Sequence, residues 1–234
     1  MKTTTHPLFA IALFFIFFPG LQQAQKEQRS IEPFDAVVLQ GHYSVVFTQG
    51  QEGTLIISGK KEATEQVETY VKNNTLMIKQ KESSWWSQPT SGAVKIEVPV
   101  KQISKIGLYG SGNIRANHSI QSTSFKADIA GSGDIDLAVK AERVKGIVTG
   151  LGDLRLRGKA NETYFEVTGS GDIKAKELMS NESSGHITGS GSIDLYAKAE
   201  MEAKITGSGD LNCYGHPPLH KTKVTCSGAV HFID

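Results

Sequence analysis

A five-residue unit, Gly-Ser-Gly-Asp-Ile or a close variant, recurs along the second half of the chain. Copies begin at Gly110, Gly131, Gly150, Gly169, Gly189 and Gly207, and a decayed copy begins at Cys226. The successive intervals are 21, 19, 19, 20, 18 and 19 residues. A fixed period of this length is typical of solenoids, in which each repeat packs only on its neighbours.

Apolar residues recur at fixed positions around the first glycine of each copy, and polar residues alternate with them. Two positions before the glycine stand Leu108, Ile129, Val148, Val167, Ile187, Ile205 and Val224. Four positions after it stand Ile114, Ile135, Leu154, Ile173, Ile193, Leu211 and Val230. Six positions after it stand Ala116, Leu137, Leu156, Ala175, Leu195, Cys213 and Phe232. This alternation is the period of β-strands with one buried face.

About 19 residues are too few for a strand–helix–strand unit of roughly 30 residues, and they fit one coil of a parallel β-helix. We expect each Gly-x-Gly to form a corner, where a positive φ or a close backbone approach excludes a Cβ atom. On the outside, stacking should place Asp136 beside Arg155 and Lys174 beside Asp194. The sequence predicts an all-β, single-stranded parallel β-helix.

The chain before Gly107 has strand-like segments but lacks the glycine unit. We expect residues 31–106 to form the first coils and the cap of the same solenoid, because an open end exposes unpaired strand edges. Residues 60–71 contain no Gly or Pro and are the one predicted helix, which should be short. Residues 25–234 are therefore expected to form a single domain, with repeat coils from residue 107 onward.

The first 24 residues have the pattern of a secretory signal peptide. Lys2 precedes an apolar run at 8–18, which is followed by Pro19-Gly20. The run is shorter than the roughly 20 residues that span a bilayer. No cysteine follows it, so we expect an exported protein without a lipid anchor, located in the periplasm, at the cell surface or outside the cell. The formal net charge of +1 argues against nucleic acid as a partner, which requires a basic surface.

The segment Phe34-Asp-Ala-Val, followed by the Gly-Ser-Gly-Asp/Asn-Ile ladder after a signal peptide, resembles the auto-transporter adhesin head GIN domain family. The resemblance covers about residues 31–234 and departs from the pattern at Leu151, Ser192 and Cys226. It implies an exported bacterial protein with a right-handed β-helix. It carries over no catalytic or binding residue.

A column of acidic and polar side chains follows the corners and is the first candidate site. It contains Asn113, Asp134, Asp153, Asp172, Ser192 and Asp210. Stacked carboxylates could chelate Ca²⁺. However, the nonapeptide spacing of calcium-binding β-rolls is absent, so we expect each Asp to bond within its own turn.

Histidines and cysteines cluster late in the chain, at Cys213, His216, His220, Cys226 and His231. A transition-metal site would need three or four of them to converge, and we expect none. By column position, Cys213 stacks on Phe232 and Cys226 stacks on Gly207, which is too far apart for a disulfide. We therefore expect two free thiols.

Trp85 and Trp86 lie in a polar loop at 83–92, where they could stack on sugar rings or fold back as a hydrophobic lid. The lid is the expected arrangement. The corner serines Ser111, Ser132, Ser170, Ser190 and Ser208 lack a nucleophile-elbow motif, and no catalytic constellation is recognisable.

These observations favour a non-catalytic, exported module for cell-surface adhesion or envelope assembly, without a cofactor. Its partner would be a surface glycan or another envelope protein, and its oligomeric state is open. The alternative is a polysaccharide lyase or hydrolase on a β-helix scaffold, which would require acidic, basic and aromatic residues to converge in a cleft.

Overall fold

The computed structural model describes residues 25–50, 52–81 and 92–233. Most of these residues are in β-strands, which form a solenoid of about seven turns with a spacing near 19 residues. The predicted parallel β-helix is confirmed. The signal peptide at 1–24 and the tryptophans Trp85 and Trp86 lie outside the described residues, so those expectations stay predictions.

The repeat region forms two parallel stacks of strands that meet at the Gly-x-Gly corners. Its strands are β8 (Lys105–Gly110), β9 (Asn113–Gly131), β10 (Asp134–Gly150), β11 (Asp153–Lys159), β12 (Glu162–Gly169), β13 (Asp172–Met179), β14 (Glu182–Gly189), β15 (Ile193–Tyr196), β16 (Glu200–Gly207), β17 (Asp210–Tyr214), β18 (Leu219–Thr225) and β19 (Ala229–Ile233). The first stack, before the corner, contains β8, the ends of β9 and β10, and β12, β14, β16 and β18. The second stack, after the corner, contains the starts of β9 and β10, and β11, β13, β15, β17 and β19.

The N-terminal strands extend both stacks, but not in chain order. They are β1 (Gln25–Ser30), β2 (Ala36–Gly41), β3 (Ser44–Thr48), β4 (Thr54–Gly59), β5 (Val67–Lys72), β6 (Thr75–Gln80) and β7 (Lys95–Pro99). Strand β2 lies between β6 and β8, and β3 lies between β7 and β9. The coil formed by β6 and β7 therefore stacks at the N-terminal end of the solenoid, beyond the coil formed by β2 and β3, although β2 and β3 come earlier in the chain.

Antiparallel strands close the N-terminal end of the solenoid. Strand β5 pairs with β6, β4 pairs with β7, and β1 pairs with β4. These pairings end the parallel stacking and cover the outermost coil. In the described ranges, no helix has the length and apolar character needed to cross a bilayer.

The helix predicted at 60–71 is wrong for most of its length. Helix α1 covers only Lys61–Thr64, and Val67–Lys72 is strand β5. This segment forms a strand rather than a helix because Asn73 and Asn74, with φ of 50° and 58°, form a two-residue hairpin turn that pairs it with β6. Two positive φ values are what a type I′ hairpin requires, and Asn tolerates them.

The corners follow the predicted glycine rule: both glycines lie against the backbone of the neighbouring coil, and the first also has a positive φ. The first glycine has a positive φ, for example 132° at Gly110. At the second, Gly112, a Cβ atom would lie 2.5 Å from the carbonyl oxygen of Tyr43 in the neighbouring coil. Cys226 occupies the first position of the last corner with a φ of 84°, a conformation that is costly for a residue with a side chain.

The three apolar columns form the core, with exceptions at both ends of the repeat. From Leu108 to Cys213 their members are buried, apart from the half-buried Ala116. The last copy departs from the prediction, because Val224 is 41% exposed and Phe232 is 45% exposed. Within the described residues no further coil packs on β18 and β19, so their inward side chains remain accessible.

Candidate functional site

The Asp column joins neighbouring coils, which corrects the expectation that each Asp bonds within its own turn. Asp134 Oδ1 accepts a hydrogen bond from the backbone N–H of Asp153, one coil further, at 3.2 Å. Asp172 Oδ1 accepts from the N–H of Ser192 at 3.0 Å, and Asp210 Oδ1 accepts from the N–H of Ala229 at 3.0 Å. Parallel stacking places the next coil's N–H within reach of each carboxylate. The column is therefore structural.

The remaining polar members of the column also bond between coils. Ser44 Oγ donates to Asn113 Oδ1 at 2.9 Å, and Asp153 Oδ2 accepts from Lys174 Nζ. No group of three or more His, Cys, Asp or Glu side chains in the described part of the chain is arranged to hold a metal ion.

The outward charges stack in the predicted register but pair differently. Asp136 lies beside Arg155, and Lys174 lies beside Asp194, as expected. However, the ion pairs join Asp136 to Arg157 and Lys174 to Asp153. Asp194 instead accepts a hydrogen bond from Asn212 Nδ2 at 2.8 Å. Long cationic side chains reach diagonally, so register alone did not identify their partners.

The late cysteines and histidines do not form one site. Both thiols are free, with Cys213 buried in the core and Cys226 exposed. Burial raises the pKa of the Cys213 thiol to about 11, so this group is a neutral core residue. His220 contacts Phe232, with ring centroids 5.0 Å apart.

The corner serines are exposed in a line along the solenoid. Their backbone N–H groups hold the corners together, as when Ser132 N donates to Gly110 O at 3.0 Å. These bonds serve the coil stacking, and the sequence gives no nucleophile motif at these positions.

A polar groove of about 860 Å³ runs along one side of the solenoid and is the best candidate for a binding site. It crosses four coils, beside the junction where the second stack ends and the first stack begins again. Its lining residues are Asp35, Gln102, Ile103, Ser104, Gln121, Ser122, Thr123, Ser124, Lys140, Ala141, Glu142, Lys159, Ala160 and Asn161.

One wall of the groove is a ladder of long polar side chains. Gln102 pairs with Gln121, Gln121 with Lys140, and Lys140 with Lys159, each one coil further along. Neighbouring strands in such a stack lie about 4.8 Å apart. The groove therefore offers the same kind of contact repeatedly along its length.

The polar side chains of the groove are largely unengaged. Within the described part of the chain, Gln102, Gln121, Lys140, Lys159 and Glu142 form no side-chain hydrogen bond or ion pair. The two lysines are balanced by the two carboxylates of Asp35 and Glu142. The groove can thus donate and accept hydrogen bonds without a strong net charge, which suits an extended polar chain better than a polyanion.

Acidic and basic side chains converge in this groove, but none of its lining residues is aromatic. It therefore meets only part of the condition set for a carbohydrate-active enzyme.

A second depression, of about 400 Å³, contains the aromatic side chain of Tyr164. The Tyr164 hydroxyl donates to Glu166 Oε2 at 3.1 Å and lies 3.1 Å from His186 Nδ1. Lys145 Nζ lies 4.5 Å from the centre of the ring. Burial, together with Glu166, raises the pKa of Tyr164. Since these groups already contact one another, this depression is a weaker candidate than the groove.

The sequence reasoning missed the groove, although a signal for it was present. Gln102, Gln121, Lys140 and Lys159 are spaced by 19 residues, the period of the repeat. A search for polar columns at that period, in addition to apolar ones, would have found this wall. The lining residues Ser104, Thr123, Glu142 and Asn161 have the same spacing and would have been found in the same way. Asp35 falls outside the period, because it comes from a coil placed by the N-terminal reordering.

Comparisons with known proteins agree with this architecture. Residues 33–217 match a family model described as "putative auto-transporter adhesin, head GIN domain". A search of curated proteins yields no significant match.

Solved structures share the fold at low sequence identity. A "putative adhesin" from Bacteroides fragilis superposes with a TM-score of 0.82 at 20% identity, covering 91% of this chain and 98% of that one. A "putative lipid binding protein" from Parabacteroides distasonis gives 0.74 at 21% identity, with 92% and 98% coverage. A "putative adhesin" from Parabacteroides merdae gives 0.64 at 20% identity, with 92% and 98% coverage.

The family match spans both the N-terminal coils and the Gly-Ser-Gly repeat, which carry the architecture described above. The chain belongs to the auto-transporter adhesin head GIN domain family.

Proposed function

We propose that this protein is an exported, non-catalytic adhesin module that binds surface glycans along the polar groove. Membership of an adhesin family and the signal-peptide pattern at 1–24 support export to the cell surface. The observation that carries the ligand assignment is the ladder of unengaged polar side chains across four coils.

A glycan fits this groove for a chemical reason. A neutral sugar chain presents hydroxyl groups on successive units, each able to donate and to accept hydrogen bonds. The amides of Gln102 and Gln121 donate and accept, Lys140 and Lys159 donate, and Glu142 accepts. A wall that repeats with each coil can contact several sugar units at once, so weak single contacts add along the chain.

A glycan array probed with the purified protein tests this proposal, combined with a polysaccharide-degradation screen on the glycans that bind. We expect binding to neutral, extended glycans and no product with a new reducing end or an unsaturated sugar. Degradation of a bound glycan would favour the lyase or hydrolase alternative. Absence of glycan binding, with capture of another envelope protein, would overturn the glycan assignment.

A further inference from the structure

In the described part of the solenoid, the strand edges are paired at the N-terminal end and open at the other end. At the N-terminal end, antiparallel strands β1, β4 and β5 close the stacks. At the other end, β18 and β19 pair only with β16 and β17 among the described residues, so one backbone edge of each strand is open. Open edges of this kind are the usual place where sheets extend between molecules.

Apolar side chains accompany these open edges. Leu219 is 63% exposed, Phe232 is 45% exposed and Val224 is 41% exposed. These three are half of the exposed large hydrophobic residues in the described chain, where the others are Tyr109, Leu151 and Met179. Val224 and Phe232 belong to the inward columns, so a further layer of strands placed on this coil would bury them.

We propose that this terminal coil binds the terminal coil of a second copy, forming an end-to-end dimer with a twofold axis through the corner at Cys226–Gly228. Such an axis exchanges the two stacks. It places β18 of one copy antiparallel to β19 of the other, and the reverse, so all four open edges are paired. Each copy offers the same patch, as a closed twofold interface requires.

The charges select this axis over another. Strand β18 has outward-facing Lys221 and Lys223, and β18 and β19 together contain no carboxylate between residues 219 and 233. Lys221 lies 3.9 Å from Glu202 of β16, on the side away from the open edge. An axis through the middle of the first stack would pair β18 with its own copy and set these lysines against each other, which is destabilising. The corner axis sets them against β19, whose outward residues are Ala229, His231 and Ile233.

The corner axis also brings the two exposed Cys226 side chains close to each other. Cys213 is buried in the core, so Cys226 is the accessible thiol of the described chain. A thiol on the axis gives the proposal a direct chemical probe. A short bis-maleimide reagent joins two thiols by adding each across one maleimide double bond, and it needs no oxidant.

Sedimentation equilibrium and crosslinking of the purified protein test the dimer. We expect a reversible dimer at micromolar concentration and a covalent dimer with the bis-maleimide that persists in Cys213→Ser and disappears in Cys226→Ser. Val224→Glu should raise the dimer dissociation constant at least about tenfold. Leu151→Glu is the matched control, since Leu151 is 67% exposed on a corner in the middle of the solenoid, and it should leave the dimer unchanged.

A monomer at every concentration would overturn the proposal, as would equal weakening by Val224→Glu and Leu151→Glu. The sedimentation result and the loss of the crosslink in Cys226→Ser are measured on proteins that retain Val224, so these two outcomes do not depend on the fold of the glutamate variant. A crosslink that is equally fast in Val224→Glu would also overturn it, since that rate would reflect random collisions. Glycan binding through the groove is measured separately, so the presence or absence of the dimer does not decide the proposed function.

Discussion

Asp172 and Ser192 occupy equivalent positions in neighbouring coils and are joined by two hydrogen bonds to the same carboxylate oxygen. The backbone N–H of Ser192 donates to Asp172 Oδ1 at 3.0 Å, and the Ser192 hydroxyl donates to the same atom at 2.7 Å. This relationship shows how the corner holds one coil on the next. The carboxylate satisfies an N–H that would otherwise lack a partner at the start of the following strand.

Removing this carboxylate should loosen the stack. We expect Asp172→Ala to lower the free energy of unfolding by about 1–2 kcal/mol, because it leaves a part-buried N–H unpaired. Asp172→Asn retains an acceptor oxygen and should cost less. Urea denaturation monitored by circular dichroism measures the free energy of unfolding of both variants. Equal losses would show that the hydrogen bonds from Ser192 do not account for the contribution of Asp172 to stability.

Neighbouring positions on one strand should respond very differently to substitution. Ile173 is fully buried, so Ile173→Asp places an unpaired carboxylate in the core and should abolish or strongly impair folding. Lys174 faces outward and pairs with Asp153 and Asp172, so Lys174→Ala should cost about 1 kcal/mol or less. Thermal melts of the two variants check the assignment of faces, which similar losses would contradict.

The corner glycines should be sensitive to a single methyl group. At Gly189, φ is 126° and a Cβ atom would collide with the carbonyl oxygen of Gly169. We expect Gly189→Ala to cost about 3 kcal/mol or more.

Gly53→Ala is the control that separates conformational strain from the collision. Gly53 also has a positive φ, of 106°, but nothing lies within 4 Å of a Cβ atom there. This variant should cost only about 1–2 kcal/mol. If both alanine variants lose the same stability, close backbone approach adds nothing to the need for glycine at the first corner position.

Stability should fall at alkaline pH because of Cys213. Burial raises the pKa of this thiol from 9.0 to about 11, so the folded state favours the protonated form. Its contribution is complete below pH 9.0 and is lost as the pH rises through about 11. Denaturation at several pH values should show a steeper loss in the parent and in Cys226→Ser than in Cys213→Ala. An identical slope in Cys213→Ala would rule out this assignment.

The repeat made its coils predictable, since the glycines from Gly110 to Gly207 mark their corners and the apolar columns mark their inward faces. Three features escaped the sequence reasoning for physical reasons. The hairpin at Asn73-Asn74 overrode the helical composition of the preceding segment. The insertion of β2 and β3 between later strands is a long-range pairing that no local pattern records. The ion pairs of Lys174 and Asp136 depend on side-chain reach as well as register.

The site was less predictable than the fold. The Asp column was identified, but its hydrogen bonds run between coils rather than within turns. The backbone N–H that each carboxylate accepts from belongs to the next repeat. The groove combines a periodic wall, from Gln102 to Lys159, with a wall that includes Asp35 from the N-terminal coils.

The most direct test of the adhesin proposal is the affinity of two matched double variants for a glycan identified on the array. Lys140→Ala/Lys159→Ala removes two cations from the groove, and Lys198→Ala/Lys204→Ala removes two exposed cations outside it. Titration calorimetry should show at least about a tenfold loss of affinity, or 1.4 kcal/mol, for the first pair and parental affinity for the second. Parental affinity in the groove variant, or an equal loss in both, would contradict the assignment of the groove as the binding site.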